Sequence, residues 1–150
     1  SVAYLDLNGF KPVNDEYGHD AGDLFLVEFA KELREGIRGN DGAARIGGDE
    51  FVLALPETTQ SDAKLVVNRI SEKATKITLP DYKIEGITFS AGISSLREGK
   101  INGTELTRGN IQDVRNTLMQ QTDFAMYHVK HKLGKKGTQI YSEIPSTNGI

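Results

Sequence analysis

The chain contains no cysteine. Disulfide scaffolds and thiolate metal centres are therefore excluded, and any bound metal must take oxygen or imidazole ligands. No stretch approaches the roughly eighteen consecutive apolar residues of a membrane span, and no basic segment followed by a long apolar run stands at the start. Dinucleotide, P-loop, zinc-protease and serine-hydrolase fingerprints are missing too, since there is no GxGxxG, GxxxxGKS, GxxxxGKT, HExxH or GxSxG. Coiled-coil heptads, internal repeats and a dividing linker are also absent. Net charge is only -3, from 18 basic and 21 acidic side chains, so nothing draws the whole chain to a nucleic acid polymer or to anionic lipid. These absences leave a soluble, cytoplasmic single domain as the expectation. The 150 residues, 37% of them hydrophobic, suffice for one core.

The short apolar run Val2–Leu7 reads as a buried opening strand whose only charge is Asp6. A carboxylate there is costly to bury unless paired or metal-bound, which puts Asp6 at the strand's end, facing a site. A short helix follows over Phe10–Tyr17, with Pro12 tolerated in its first turn. Residues 18–23 read as a turn into a second helix, on which Leu26, Phe29, Ala30, Leu33 and Ile37 share one face. Gly36 and Gly39-Asn40 end it. Two strands, 43–46 and 51–55, are joined by Gly47-Gly48-Asp49-Glu50, a hairpin with acids at its tip. A third helix begins near Ser61, with Ala63, Val66, Val67, Ile70 and Ala74 at helical spacing. One strand is expected over 82–89, with a continuation through 93 left open. The polar, glycine-containing stretch 94–110 reads as a surface insertion. A last helix, Ile111–Lys132, carries Val114, Leu118, Gln121, Ala125 and Val129 on one side; 137–141 forms a final strand and 142–150 a flexible tail. This alternation favours an α/β domain in which helices cover a central sheet.

Hard divalent cations such as magnesium take oxygen ligands and keep waters and substrate phosphates in their shell, so two or three carboxylates suffice. Asp6 and Asp49 or Glu50 converge if the opening strand lies beside the hairpin. Gly47 and Gly48 would then serve a tight turn and the open approach of a substrate. An ordinary Gly-Gly-Asp turn is the plain alternative. Asn14 and Asp23 together can donate to and accept from a guanine edge, or each can cap a helix. Lys130, His131, Lys132, Lys135 and Lys136 either meet phosphates or form the solvated last turn of a helix, where the dipole favours cations. Arg38 and Asp41 flank Gly39-Asn40 just before the second strand, and a local ion pair is their simplest reading.

Several motifs now stand in order. They are Asp6-Leu7-Asn8-Gly9-Phe10-Lys11-Pro12-Val13-Asn14-Asp15, Tyr17-Gly18-His19, Gly22-Asp23 and Ala44-Arg45-Ile46-Gly47-Gly48-Asp49-Glu50-Phe51. Phe89-Ser90-Ala91-Gly92 follows, then Asp123-Phe124-Ala125-Met126-Tyr127 and Lys130. Together they closely resemble the GGDEF domains of bacterial diguanylate cyclases, over residues 1–141. The resemblance implies an α+β sandwich, a central mostly antiparallel sheet flanked by helices, like the palm of nucleotidyl cyclases and polymerases. It implies condensation of two GTP into cyclic di-GMP with release of two pyrophosphates, at an interface with a second GGDEF domain. A non-catalytic GGDEF module that binds GTP or cyclic di-GMP is the alternative, and a scaffold with no nucleotide role is a third reading.

Carried over by position, the family's metal ligands fall on the Asp6 carboxylate, the Leu7 carbonyl and Asp49, for Mg2+ or Mn2+, two per active site. Asp49, Glu50 and Lys11 form the implied catalytic set, with Glu50 as a proton acceptor. The guanine contacts fall on Asn14 and Asp23, and the phosphate contacts on Lys11 and Lys130. A further basic phosphate contact falls on Gly134, which Lys135 replaces only with a slip of one residue. Arg38 and Asp41 match the spacing of the family's Arg-x-x-Asp product-inhibition site. Asn8 stands where aspartate is frequent, and 94–110 is long for its place. The family's opening helix and loop have no counterpart ahead of the first strand, as in an N-terminally truncated domain. Sensory or effector domains are implied in a full-length protein, of which this would be a cytoplasmic part.

Overall fold

The computed structural model describes residues 1–82, 84–96, 100–101, 104–134 and 137–143. The elements run β1 (Val2–Leu7), α1 (Phe10–Tyr17), α2 (His19–Gly36), β2 (Gly42–Arg45), β3 (Glu50–Ala54), α3 (Gln60–Ala74), β4 (Thr78–Leu79) and β5 (Ile84–Glu85). They continue through β6 (Phe89–Ser94), β7 (Lys100–Ile101), β8 (Thr104–Glu105), α4 (Ile111–Lys132) and β9 (Gly137–Ile140), with single 3-10 turns at Pro80–Tyr82 and Tyr141–Glu143. The main sheet has the order β2-β3-β1-β6-β9, antiparallel throughout except where β9 joins β6. It is the mostly antiparallel sheet with flanking helices that the sequence implied.

Strand alternation decides the two faces. Ala3, Leu5 and Leu7 of β1 go to one side with Phe51 and Leu53 of β3 and Phe89, Ala91 and Ile93 of β6, and all are buried in one core. There α2 lays down Phe25, Phe29 and Leu33, while α3 adds Ala63, Val67 and Ile70. Phe29 sits at the centre, edge-on to Phe51 at 5.0 Å and to Phe89 at 5.8 Å, and stacked on Phe25 at 6.4 Å. Such ring contacts add to what burial alone provides.

On the opposite face β6 presents Ser90, Gly92 and Ser94, and α4 covers them. A Cβ on Gly92 would overlap the Thr122 carbonyl and press on the Met126 amide, so only glycine admits the helix this closely. Ser94 Oγ donates to Gln121 Oε1 at 2.5 Å, and the Thr122 hydroxyl turns back onto the Leu118 and Met119 carbonyls at 3.1 and 2.8 Å. Ser94, Gln121 and Thr122, buried on this face, thus have partners, as burial requires.

The structure corrects the sequence reading in several places. Residues 19–23 are already helical, because Gly18 alone, at φ 85°, makes the break between α1 and α2. Asp23 therefore lies inside α2 and does not cap it. The stripe of α2 includes Ala21 and Phe25, buried under α1 and the sheet, whereas Ala30 is exposed. The single strand expected over 82–89 is split at Gly86, whose φ of 53° leaves extended geometry; β5 pairs with β4, and β6 begins at Phe89. The stretch 94–110 contains its own two-stranded ladder, β7 with β8. Ser142 and Glu143, assigned to the tail, pack on α3: Ser142 Oγ donates to Gln60 Oε1 at 3.0 Å and Lys64 Nζ lies 3.0 Å from Glu143 Oε2. The rest of that tail lies outside the described residues. Among them, no helix is long and apolar enough to cross a membrane.

Candidate active site

Asp6 is paired across the sheet with Glu50 on one side and Ser90 on the other. The Leu7 amide donates to the Asp49 carbonyl at 3.0 Å, which ties the hairpin tip to the end of β1. Tyr4 and Asp6, two apart on β1, share the α4 face with Glu50. Asp6 is only 8% exposed. Its Oδ2 lies 2.6 Å from the Nζ of Lys130, delivered by the last turn of α4. That reach depends on Gly92, since the helix backbone one turn before Lys130 rests on it.

Burial pushes the Asp6 carboxyl above its ordinary range; Lys130 opposes the shift, and the Asp49 and Glu50 carboxylates add to it. The three acids therefore share one electrostatic neighbourhood. Tyr4 was not singled out in the sequence, yet its hydroxyl is pushed up to about 12, first by burial and then by donating a hydrogen bond to the Glu50 carboxylate. Its signal was its place two residues before Asp6 on a strand.

Arg45 was likewise overlooked as a structural part of the site. Its Nε donates to the Gly47 carbonyl at 3.0 Å and its Nη2 to the Gly48 carbonyl at 2.9 Å, fastening the hairpin turn from within. Neither Gly47 nor Gly48 adopts a positive φ, so the tight-turn role expected of them is not the reason for glycine. A Cβ at Gly47 would overlap the Glu50 carboxylate, whereas Gly48 faces open space, as an approaching substrate would need.

The second part of the site is built by α1 and α2. Phe10 anchors α1 in the core, and a Cβ on Gly22 would strike the Asn14 amide oxygen and press on the Phe10 ring. Gly22 thus seats Asn14 against α2, immediately beside Asp23. Between α2 and β2 runs a groove of about 600 Å³ lined by Leu26, Val27, Ala30 and Ala44, with Asp23 and Arg45 among its polar groups. Ala30, expected in the core, forms part of this groove. Lys11 is exposed in the first turn of α1.

Arg38 and Asp41 stand elsewhere. Gly42 pairs with Ala54 and Ala54 with Val2, so Asp41 lies two strands from β1 and level with its start, which is on the order of 13 Å of strand from Asp6. The expected ion pair between them does not form among the described residues. Instead Asp41 Oδ2 accepts from the Arg38 backbone amide at 2.8 Å and the Arg38 carbonyl accepts from the Asp41 amide at 3.1 Å. This turn leaves the guanidinium exposed and Asp41 Oδ1 buried with no hydrogen bond.

For a metal, the donor chemistry fits: the nearly buried Asp6 carboxylate and the neighbouring Asp49 and Glu50 carboxylates are hard oxygen donors of the kind a divalent ion takes. No three Asp, Glu or His side chains stand at ligand spacing among the described residues. Asp6 and Asp49 with the Leu7 carbonyl are the groups that would hold one. Gly134 has φ 78° just beyond α4, a left-handed stop that explains glycine in place of a base. Lys135 lies outside the described residues.

The model of the family described as "Diguanylate cyclase, GGDEF domain" matches residues 1–136. This chain belongs to the GGDEF family. Among curated relatives, the bifunctional diguanylate cyclase/cyclic di-GMP phosphodiesterase MucR of Pseudomonas aeruginosa is 37% identical over 99% of the chain and 20% of its own length. The response regulator PleD of Caulobacter vibrioides is 43% identical over 87% of the chain and 27% of its own length. The chain thus spans only a fraction of the curated relatives it matches. Among solved structures, the GGDEF domain of PA1120 (YfiN or TpbB) from Pseudomonas aeruginosa aligns with a TM-score of 0.77 at 29% identity, covering 93% of this chain and 80% of that one. The GGDEF domain of DgcB from Caulobacter crescentus, in complex with c-di-GMP, aligns with a TM-score of 0.77 over 94% and 77% of the two chains; at 23% identity that likeness concerns the fold. Within the GGDEF frame, the signature hairpin is the β2–β3 connection; Glu50 faces Asp6 through the β1–β3 register, and Asp49 is tied to Leu7 through its backbone carbonyl.

Proposed function

We propose that the protein carrying this GGDEF domain is a diguanylate cyclase, joining two GTP into cyclic di-GMP with loss of two pyrophosphates. The observation that carries the reading is the meeting of Asp6, Asp49 and Glu50 at one end of β1 and β3, with Lys130 on Asp6. In each half-reaction a 3′-hydroxyl gives up its proton and attacks an α-phosphorus, and the bond to pyrophosphate breaks. Two such attacks close the ring, so two GGDEF domains face one another with one GTP each. Mg2+ or Mn2+, two per active site, supplies charge neutralisation on the triphosphate and acidifies the attacking hydroxyl when bound. Asp6, Asp49 and the Leu7 carbonyl would hold it, and Glu50 would accept the proton. Lys11 and Lys130 bind phosphate oxygens, and Lys135 is a further phosphate contact. Asn14 and Asp23 read the guanine edge, Asn14 being seated against Gly22 beside Asp23.

Arg38 and Asp41 form a separate product-inhibition site in this reading. The exposed guanidinium can fork onto phosphate or guanine, and the buried, unpartnered Asp41 oxygen can accept from guanine. Sensory or effector domains of the whole protein set its activity, and the GGDEF domain works in the cytoplasm.

The test is magnesium-dependent formation of cyclic di-GMP by the dimerised full-length protein. Asp49→Asn should lower it about a hundredfold or more, because several kcal/mol of charge stabilisation is lost at a factor of ten per roughly 1.4 kcal/mol. Undiminished pyrophosphate release by the variant would remove Asp49 from the site. Nucleotide binding without product would instead favour a regulatory module. By calorimetry, Arg38→Ala should lose cyclic di-GMP binding and keep magnesium-GTP binding; unchanged product affinity would dismiss the second site.

A further inference from the structure

Lys130 meets a proposed metal ligand directly, and a dication on the same Asp6 oxygen would be strongly repelled by an ammonium 2.6 Å away from it. The helix that carries the lysine is docked by other contacts as well. It rests on Gly92 one turn before Lys130 and is held further back by the Ser94 to Gln121 hydrogen bond. The Lys130 side chain is 29% exposed and its ammonium rides on a flexible four-carbon stem, so it can swing away while α4 stays docked. Asp6, meanwhile, is nearly buried beside two further acids and needs a positive partner. Among the described residues, Lys130 is the cation paired with it.

We propose that Lys130 is the tethered counterion of Asp6 in the metal-free domain and is passed to the triphosphate when a divalent cation and nucleotide are taken up together. This rests on the assignment of Asp6 as a metal ligand made above. The exchange has a thermodynamic consequence. A metal arriving alone must displace Lys130 and leave the ammonium without a partner. Arriving with a triphosphate, it releases Lys130 to a new anionic partner. Metal and nucleotide therefore bind with positive coupling, each strengthening the other by the same factor. Lys130 sets the size of that factor and suppresses loading with metal alone.

The test is a Mn2+ titration of the full-length protein, read by the electron paramagnetic resonance of free Mn2+, without nucleotide and with a non-hydrolysable GTP analogue. In Lys130→Met, Mn2+ alone should bind about tenfold tighter, and the further tightening brought by the analogue should shrink about tenfold, within the usual range of coupling. Lys132→Met removes the same charge from the same helical turn and should change neither quantity. Lys130→Arg retains a cation on Asp6, so it should bind Mn2+ alone no more tightly than the native chain, and it serves if the methionine variant does not fold. Unchanged or weaker Mn2+ binding in Lys130→Met, an equal gain in Lys132→Met, or tight metal-only binding in Lys130→Arg would overturn the proposal. These readings require no turnover, so a protein that makes no cyclic di-GMP would sink the activity and leave this inference standing. Mn2+ binding unaffected by Asp6→Asn would remove the metal assignment itself.

Discussion

On one face of the sheet, Phe29 sits among Phe25, Phe51 and Phe89 under α2 and α3; on the other, α4 rests on Ser90, Gly92 and Ser94 beside Tyr4, Asp6 and Glu50. The first face is held by burial of hydrocarbon, which is non-directional and tolerates repacking if volume is kept. The second also buries Val114, Ala125, Met126 and Val129 of α4, but it depends in addition on a missing Cβ, a short hydrogen bond and an ion pair, each of which fails with a small displacement. A sheet that keeps its stability on one side can afford carboxylates near burial on the other. The division also explains how Lys130 reaches Asp6: the polar face lets a helix approach more closely than a layer of large side chains would.

The strongest test of this contrast pairs one substitution from each face. Phe29→Ala should cost about 3–5 kcal/mol in urea unfolding, because three rings lose their common neighbour. At a temperature where it remains folded, the variant should keep most of the proposed cyclase activity. Gly92→Ala should cost less, about 1–3 kcal/mol, since the added methyl must push α4 outward. Its activity should nevertheless fall further than that of Phe29→Ala, because Lys130 moves with the helix. Equal loss of specific activity in the two folded variants would erase the distinction between the faces.

A smaller effect sharpens the comparison from within the polar face. The Tyr4 hydroxyl titrates higher in the folded chain, at about 12, than the 10.0 of an unburied tyrosine, chiefly through burial and then through its bond to Glu50. Folding therefore holds its proton more tightly, and that contribution is complete below pH 10 and disappears as the pH rises to about 12. Urea unfolding across this window should show a decline in the native chain that is shallower in Tyr4→Phe. Parallel declines would mean that the hydroxyl is not buried against Glu50.

The elements with strong periodicity were legible in the sequence, and α4 spans Ile111–Lys132 as read. Hydrophobic spacing is a local property, and it survives folding wherever the helix has one face to bury. The acids were legible as well, because a lone charge in an apolar strand and two at a hairpin tip have few inexpensive places to go. Where a single glycine changed the backbone, at Gly18 and Gly86, the reading slipped by several residues, since a positive φ can end an element without a visible turn segment. The exposure of Ala30 and the burial of Ala21 and Phe25 followed from where α1 and β2 lie, which the stripe of α2 alone does not contain.

The sequence by itself determined the family, the chemistry of the donors and the alternation that sends Asp6 and Leu5 to opposite faces. Only the tertiary structure decided which partner each group has. Asp6 meets Lys130, Tyr4 meets Glu50, Arg45 closes its own hairpin, and Arg38 does not pair with Asp41 through its side chain. Local pattern specifies which face a residue takes, because that depends on backbone period alone. The partner depends on strand register and on how closely a helix can approach, and both are set by packing between segments far apart in the chain: Gly92 and Thr122 for α4, and the β1–β3 ladder for the acids.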